Sequence, residues 1–116
     1  MTLQDTDIVI VGAARTPFGK LLGGLAALPA TDLGAHAIRG ALEQARVEPE
    51  LVDAVVFGQV LQAGVGQNPT KQAALAAGIS PRAHTATVNK ICLSGLTAVI
   101  DAARLLRAGE AEVVVA

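Results

Sequence analysis

Four short β-prone runs constrain the fold of this chain more than any other feature. The runs cover residues 8–11, 52–58, 85–88 and 113–115, and each is rich in β-branched residues. An unbroken run such as residues 8–11 is typical of a strand buried on both faces, as in a parallel sheet covered by helices. Helical stretches separate the four runs. The resulting βαβαβαβ order predicts an α/β fold, with three layers and a mostly parallel sheet.

Start and stop signals delimit the three helical stretches. Asn68 can cap a helix by accepting a backbone N–H, and Pro69 suits the first helical position because no donor is needed there. Glycine just past a helix is a natural stop. The predicted limits are a start near Thr31 and closure by Pro49 for the first helix, Asn68-Pro69 and Gly78 for the second, and Cys92 and Gly109 for the third.

The third helix is apolar around most of its circumference. Its polar side chains form a narrow stripe of Thr97, Asp101 and Arg104, while leucine, valine, isoleucine and alanine occupy the other positions. A surface helix normally carries a broad polar face. We therefore expect this helix to be covered on more than one side.

Composition excludes several classes of function. Nine Lys and Arg against ten Asp and Glu give a net charge of −1, which provides no electrostatic case for nucleic acid or an anionic membrane. Two phenylalanines, with no tryptophan or tyrosine, leave almost no platform for stacking bases. With 52% hydrophobic residues in 116, the chain is more apolar than an ordinary small domain, and we expect other protein to cover much of its surface.

Location is predicted from the N-terminus and the cysteine count. Residues 1–7 lack the basic and apolar regions of a signal peptide, and one cysteine forms no intrachain disulfide. No run approaches the roughly 20 apolar residues that cross a bilayer. We expect a cytoplasmic protein with no membrane partner.

The only cysteine, Cys92, lies where the third predicted strand turns directly into a helix. Unpaired N–H groups and the positive end of the helix dipole favour a thiolate at such a position, and Lys90 adds a nearby positive charge. This placement is typical of a nucleophile. A lone cysteine in an alanine-rich chain is more often a small core residue, and spacing alone leaves both interpretations open.

Three ordered motifs carry a family resemblance. Residues 89–95, NKICLSG, resemble the nucleophile segment of the thiolases, in which Asn-Lys and an aliphatic residue precede the reactive cysteine. Residues 11–19, VGAARTPFG, resemble that family's opening strand and turn. Residues 57–64, FGQVLQAG, with QNP at 67–69, resemble its second strand and the following loop. The resemblance covers essentially the whole chain.

The resemblance implies that the chain is incomplete. Thiolases contain two similar core domains, stacked so that a central helix layer lies between two sheets, and the apolar third helix suits such a layer. Residues 1–116 resemble most of the first core domain. The rest of that domain, the loop domain that binds most of coenzyme A and the second core domain are absent, so no coenzyme A contact is assigned to a residue here.

The resemblance also implies a chemistry. In thiolases the cysteine thiolate attacks an acyl-CoA thioester and becomes acylated, and a second acyl-CoA, deprotonated at its α-carbon, then attacks the acyl group; the reverse reaction is thiolysis of a 3-oxoacyl-CoA. For this chain it implies an acetyl-CoA acetyltransferase of fatty acid metabolism, with Cys92 as nucleophile. Coenzyme A thioesters are the substrates, no separate cofactor is used, and the enzyme is a homodimer or homotetramer.

The family's other catalytic groups are missing from this sequence. The resemblance assigns the base to a histidine in a Gly-His-Pro motif and a second acid-base group to a cysteine in a Cys-x-Gly motif, and neither motif occurs. His36 falls within the first predicted helix and His84 precedes the third strand, so neither matches. We therefore expect activity only with the missing remainder.

Other motifs give weaker predictions. Residues 64–69 fail as a dinucleotide fingerprint and residues 14–21 fail as a phosphate loop, because required glycine and hydroxyl positions are occupied by other residues. His36, His84 and Cys92 have no metal-ligand spacing, so we expect no metal. Arg15 is more readily a structural partner of a carboxylate or carbonyl than a phosphate ligand.

Two other functions stay open at this stage. A decarboxylating ketoacyl synthase shares the wider fold, although Asn89-Lys90 before the cysteine is not its usual lead-in. The second open function is that of a non-enzymatic fragment or assembly module. A truncated α/β unit exposes a sheet edge and an apolar helix face, and such surfaces associate readily.

Overall fold

Three parallel strands form the sheet of this chain, whose computed structural model describes residues 2–116. Strand β1 spans Ala54–Gly58, β2 spans His84–Val88 and β3 spans Val114–Val115, in the spatial order β2-β1-β3. In the central strand, Val55 lies opposite Thr85 on one side and Val115 on the other. The predicted α/β class and parallel pairing are confirmed.

The helices begin and end close to the predicted signals. Helix α1 spans Ala30–Ala45, α2 spans Pro69–Ala76 and α3 spans Ser94–Arg107, with a 3₁₀ turn at Pro49–Leu51. Asn68 caps α2 by accepting the N–H of Lys71 at 3.3 Å. Gly78 and Gly109 follow α2 and α3 with φ of 91° and 70°, a conformation that glycine adopts without steric cost. Helix α1 instead ends at a left-handed Arg46, before the predicted Pro49.

Helices cover both faces of the sheet and make three layers. Side chains alternate along β1, so Val55 and Phe57 point to one face and Ala54 and Val56 to the other. The first face packs against α1 and α2, where Ile38 and Val55 are fully buried in one hydrophobic cluster. Helix α3 packs on the second face. The layered arrangement predicted from the sequence is therefore present.

Asp53 ties the start of β1 to the start of β3. Its Oδ2 accepts the backbone N–H groups of Glu112 at 2.8 Å and Val113 at 3.1 Å, and its own N–H donates to the carbonyl of Val113 at 3.0 Å. The hydrogen bonds from Glu112 and Val113 hold the pKa of Asp53 below its ordinary value of 3.8. The carboxylate thus stabilises a strand that is only two residues long.

The predicted first strand is wrong in this structure. Residues 8–11 belong to no strand among residues 2–116, and Val9, Ile10 and Val11 are 48%, 80% and 63% exposed rather than buried on both faces. The segment is held against α1, where the N–H of Ala13 donates to Oε1 of Gln44 at 2.7 Å. A β-branched run favours extended backbone, but a strand also needs a neighbouring ladder, and here none is in reach.

An apolar groove, the edge groove, separates that segment from the sheet. It encloses about 550 Å³ and is lined by residues 8–14, by β3 and by the facing sides of α1 and α3. The sheet therefore ends at β3 with one edge open to this space.

Helix α3 turns its small residues toward the sheet. Ala98 and Ala102 are buried, and so is Thr97, which the sequence placed on a polar stripe. Large apolar side chains in its first half are exposed, with Leu96 at 58% and Ile100 at 41%. Within the described residues the sheet covers α3 on one side only, and the expectation of cover on further sides stays a prediction. Among residues 2–116, no helix combines the length and apolar character needed to span a bilayer.

Candidate active site

Cys92 lies on the turn between β2 and α3, and its side chain is exposed. Helix α3 begins at Ser94 with Leu93 as its N-cap, so Cys92 lies one residue before the N-cap. The first N–H groups of any helix lack intrahelical acceptors and carry the positive end of its dipole. The interpretation of Cys92 as a small core residue is therefore wrong, while its predicted position at a strand-to-helix turn is confirmed.

The turn contains a strained residue immediately before the cysteine. Ile91 has φ of 51°, in the left-handed region that β-branched residues rarely adopt. Such a conformation costs about 1–3 kcal/mol and persists only where surrounding bonds enforce it. The N–H of Ile91 donates to Oδ1 of Asn89 at 3.0 Å, which restrains the residue from its N-terminal side.

Ser94 restrains the same turn from its C-terminal side. Its Oγ accepts the N–H of Lys90 at 2.9 Å and donates to the carbonyl of Ile91 at 2.6 Å. The backbone N–H of Ser94 donates to that carbonyl at 3.1 Å, and the N–H of Leu93 donates to the carbonyl of Lys90 at 3.0 Å. None of these bonds involves the backbone N–H of Cys92. They hold the turn around the cysteine and leave that N–H group unused.

Gly58 allows α3 to start directly against the end of β1. A Cβ at Gly58 would lie 2.5 Å from the carbonyl carbon of Ser94 and 2.7 Å from the nitrogen of Gly95. Real Cβ atoms do not approach backbone so closely, so any larger residue would push the start of α3 away. The position of the Cys92 turn therefore depends on this glycine.

Hydrogen bonds also join the turn to the loop that follows β1. Nδ2 of Asn89 donates to the carbonyl of Val60 at 3.2 Å, and the N–H of Gln59 donates to the carbonyl of Val88 at 3.0 Å. Both loops lie beyond the carboxyl ends of parallel strands, which is where open α/β sheets bind their ligands. The structure thus places Cys92 at the edge of the sheet suited to a substrate.

Asn68 supports β2 just before the turn. Its Nδ2 donates to Oγ1 of Thr85 at 2.9 Å, and its Oδ1 accepts from Oγ1 of Thr87 at 3.1 Å. These contacts come in addition to its cap on α2. The structure assigns Asn68 to anchoring the strand that leads to Cys92.

The remaining candidate residues lie elsewhere. His36 is exposed on α1 beside a separate cavity of about 400 Å³ that also borders Asp32 and Arg39. His84 begins β2 at the end opposite to the turn, roughly 13 Å along the strand. Arg15 donates to the carbonyl of Thr16 at 3.1 Å and lies over the ring of Phe18, so its partner is a carbonyl.

The structure brings no catalytic partner to Cys92 from the candidate residues named in the sequence. Neither histidine reaches the turn, and residues 2–116 contain no group of three or more His, Cys, Asp or Glu side chains arranged to hold a metal ion. What the site offers is an exposed thiol, free helix N–H groups and a rigid turn. An exposed thiol beside such N–H groups is a candidate nucleophile next to part of an oxyanion-binding surface, and acyl transfer there would need a base from other residues.

Three features of the site were not predicted from the sequence. The close contact of Gly58 could have been predicted, since a glycine in a predicted strand often marks the approach of another backbone. The left-handed conformation of Ile91 could not have been predicted from the sequence, because isoleucine disfavours that conformation. The serine of the NKICLSG segment was noted only as part of a motif, and its two hydrogen bonds depend on the turn that they close.

Comparisons with known proteins agree with this geometry. The model of the family described as "Thiolase, N-terminal domain" matches residues 8–116. The acetyl-CoA acetyltransferase of Cupriavidus necator is 56% identical over 111 residues, which are 96% of this chain and 28% of that protein. Acetyl-CoA acetyltransferase 2 of Arabidopsis thaliana is 54% identical over 115 residues, which are 99% of this chain and 28% of that protein.

A solved structure gives the same result. The acetyl-CoA acetyltransferase from Syntrophomonas wolfei superposes with a TM-score of 0.87 and 36% sequence identity, covering 91% of this chain and 27% of that chain. The chain therefore spans little more than a quarter of the length of these relatives. With its three-layer fold, its strand-to-helix cysteine turn and a family match over residues 8–116, the chain belongs to the thiolase family.

Proposed function

We propose that this chain is the nucleophile-bearing part of an acetyl-CoA acetyltransferase. The observation that carries the proposal is the exposed Cys92 thiol on a braced turn at the start of α3, in a chain of the thiolase family. The relatives named acetyl-CoA acetyltransferase favour acetyl-CoA as the substrate.

The chemistry follows from the groups at the turn. The Cys92 thiolate attacks the thioester carbonyl, the C–S bond to coenzyme A breaks, and the acetyl group stays on Cys92 as a new thioester. The carbanion of a second acetyl-CoA then attacks this acetyl group, releases the Cys92 thiolate and yields a 3-oxoacyl-CoA. Negative charge that develops on the carbonyl oxygen lies near the start of α3, where N–H groups can stabilise it.

Residues beyond this segment complete the enzyme in our proposal. Proton removal from the thiol and from the α-carbon needs bases, and neither His36 nor His84 is near Cys92. We propose that residues 1–116 form an incomplete first core domain and that a loop domain and a second core domain supply those bases and most coenzyme A contacts. The open edge groove and the exposed apolar side of α3 support this division, because both are surfaces that further protein would cover.

The finer assignments belong to the same proposal. We expect a homodimer or homotetramer that acts in fatty acid metabolism without a separate cofactor, since both substrates are coenzyme A thioesters. A free and exposed thiol suits a reducing compartment, which favours the cytoplasm. Cell fractionation and the native mass of the whole protein test these two points.

Acetyl trapping tests the proposed nucleophile. The whole protein that contains residues 1–116 is mixed with acetyl-CoA, quenched in acid and digested, and the mass of the Cys92 peptide is measured. We expect that peptide to gain one acetyl group, which hydroxylamine removes, and the Cys92→Ala variant to lose the modification. Thr97→Val is the matched control, because it removes a buried hydroxyl of α3 that has no hydrogen-bond partner among the described residues. A folded protein whose Cys92 stays unmodified contradicts the proposal and favours an assembly module.

A further inference from the structure

The hydroxyl of Ser94 is buried and serves neither as nucleophile nor as base in the proposed reaction. Ser94 is 5% exposed, so its Oγ does not present itself to a substrate. A serine at the N-cap accepts an N–H of the helix's first turn, but the N-cap of α3 is Leu93 and Ser94 is the first helical residue. Here α3 has no side-chain cap, and both hydrogen bonds of the Ser94 hydroxyl run backward into the cysteine turn.

These bonds act on the one strained residue of that turn. Ile91 has its N–H held by Asn89 and its carbonyl held by the hydroxyl and the N–H of Ser94. Without such restraint, an isoleucine returns to the right-handed or extended region. The side chain of Ile91 is 63% exposed, so its packing does not enforce the left-handed conformation.

The conformation of Ile91 sets the direction of Cys92. Rotation about the backbone of Ile91 swings the following peptide, and with it both the N–H and the Cα–Cβ bond of Cys92. Acyl transfer requires the sulfur and the oxyanion-binding N–H groups to meet the same carbonyl, and a misplacement of about 1 Å can lower a rate by about 100-fold.

We propose that Ser94 is a positioning residue, whose hydroxyl holds Ile91 in the left-handed conformation and thereby aims the Cys92 thiol at the substrate carbonyl. The inference rests on the proposed role of Cys92 as nucleophile. It assigns to Ser94 no contact with substrate and no proton transfer.

The test compares Ser94→Ala with the double variant Ser94→Ala/Ile91→Gly in the whole protein. The rate of acetyl transfer to Cys92 is measured by rapid quench over a range of acetyl-CoA concentrations. We expect Ser94→Ala to lower the saturating rate by about 10- to 100-fold and to change the half-saturating concentration by less than about twofold. Glycine enters the left-handed region freely, so we expect the double variant to recover at least about half of the lost rate on a logarithmic scale.

Two controls separate positioning from general damage. Thr97→Val removes another buried hydroxyl of α3 and should load acetyl at the wild-type rate, and melting temperatures show that each variant is folded. A crystal structure of Ser94→Ala supplies a readout that does not depend on activity. We expect φ of Ile91 to leave the left-handed region in that variant.

The outcomes distinguish this inference from the proposed function. Wild-type loading by folded Ser94→Ala, an unchanged φ of Ile91, or equal losses in the single and double variants overturns the role of Ser94 while leaving Cys92 as nucleophile. A wild-type protein that never acetylates Cys92 overturns the proposed function itself, and the aiming role with it.

Discussion

Gly58 and Gly95 lie on either side of the Cys92 turn and differ in the space around them. A side chain at Gly58 would collide with the backbone of Ser94 and Gly95, whereas a Cβ at Gly95 meets nothing within 4 Å. Both replacements add a single methyl group. The two positions therefore form a matched pair that separates steric displacement of α3 from the general effect of adding a Cβ.

Gly58→Ala should destabilise the protein and disturb acetyl transfer. We expect the free energy of unfolding to fall by about 1–3 kcal/mol, because the start of α3 must move. Gly95→Ala should leave that free energy unchanged or raise it by up to about 1 kcal/mol, since alanine favours a helix. Urea unfolding of both variants provides the measurement. A Gly58→Ala protein as stable as Gly95→Ala would contradict the close packing of β1 against α3.

At the scale of single residues, sequence reasoning located the cysteine and not its surroundings. The pattern of a β-prone run, a lone cysteine and an apolar helix placed Cys92 on a strand-to-helix turn, because those signals are local. The left-handed Ile91 and the backward hydrogen bonds of Ser94 result from the way β1, β2 and α3 meet. No local propensity contains that information.

At the scale of elements, the predicted helix limits were right where a cap or a stop residue determines them. The predicted strand at residues 8–11 was wrong because a strand also needs a neighbouring strand to pair with. As expected, α2 begins after Asn68, and the glycines that follow α2 and α3 are Gly78 and Gly109. The run at residues 8–11 has the propensity of a strand, but pairing depends on a neighbour that lies across the edge groove rather than beside it. Helix α3 is apolar on most sides, so the spacing of its apolar residues did not reveal which side faces the sheet. In the structure that side carries the small residues.

The hydrogen bonds of Asp53 between β1 and β3 predict how the stability of the protein depends on pH. Because its pKa is lowered in the folded state, its hydrogen bonds stabilise the protein at pH values above the unfolded pKa, and this contribution is lost as the pH falls through the lower folded value. We expect Asp53→Asn to be less stable than wild type at pH 7 and to approach it near pH 2. Urea unfolding at both pH values measures this difference. Asp5→Asn, in the exposed N-terminal stretch, is the control, and an equal stability difference for Asp53→Asn at the two pH values would contradict the assignment.

At the scale of the whole molecule, two apolar surfaces of the described residues have no cover. One is the edge groove, and the other is the side of α3 that carries Leu96 and Ile100. Exposed apolar patches of this kind mark association surfaces. The sequence predicted a need for cover from its 52% hydrophobic content, but composition did not locate the uncovered faces.

The 116-residue chain should therefore associate when it is produced alone. We expect its native mass to exceed 11.7 kDa by light scattering, because the apolar side of α3 meets a second copy. Leu96→Glu should reduce this association, whereas Glu43→Lys, a charge change on the exposed side of α1, should not. A sharp monomer peak with cooperative unfolding would show that these surfaces need no partner.

The central claim is that Cys92 forms an acyl-enzyme, and isotope exchange tests it most directly. In the whole protein, labelled coenzyme A should enter the acetyl-CoA pool, because deacylation of Cys92 by free coenzyme A reverses the first half-reaction. We predict rapid exchange in the wild type and a loss of about six orders of magnitude in Cys92→Ala, the size found when a covalent nucleophile is removed. Exchange that persists in folded Cys92→Ala, or that is missing from the folded wild type, would contradict the account.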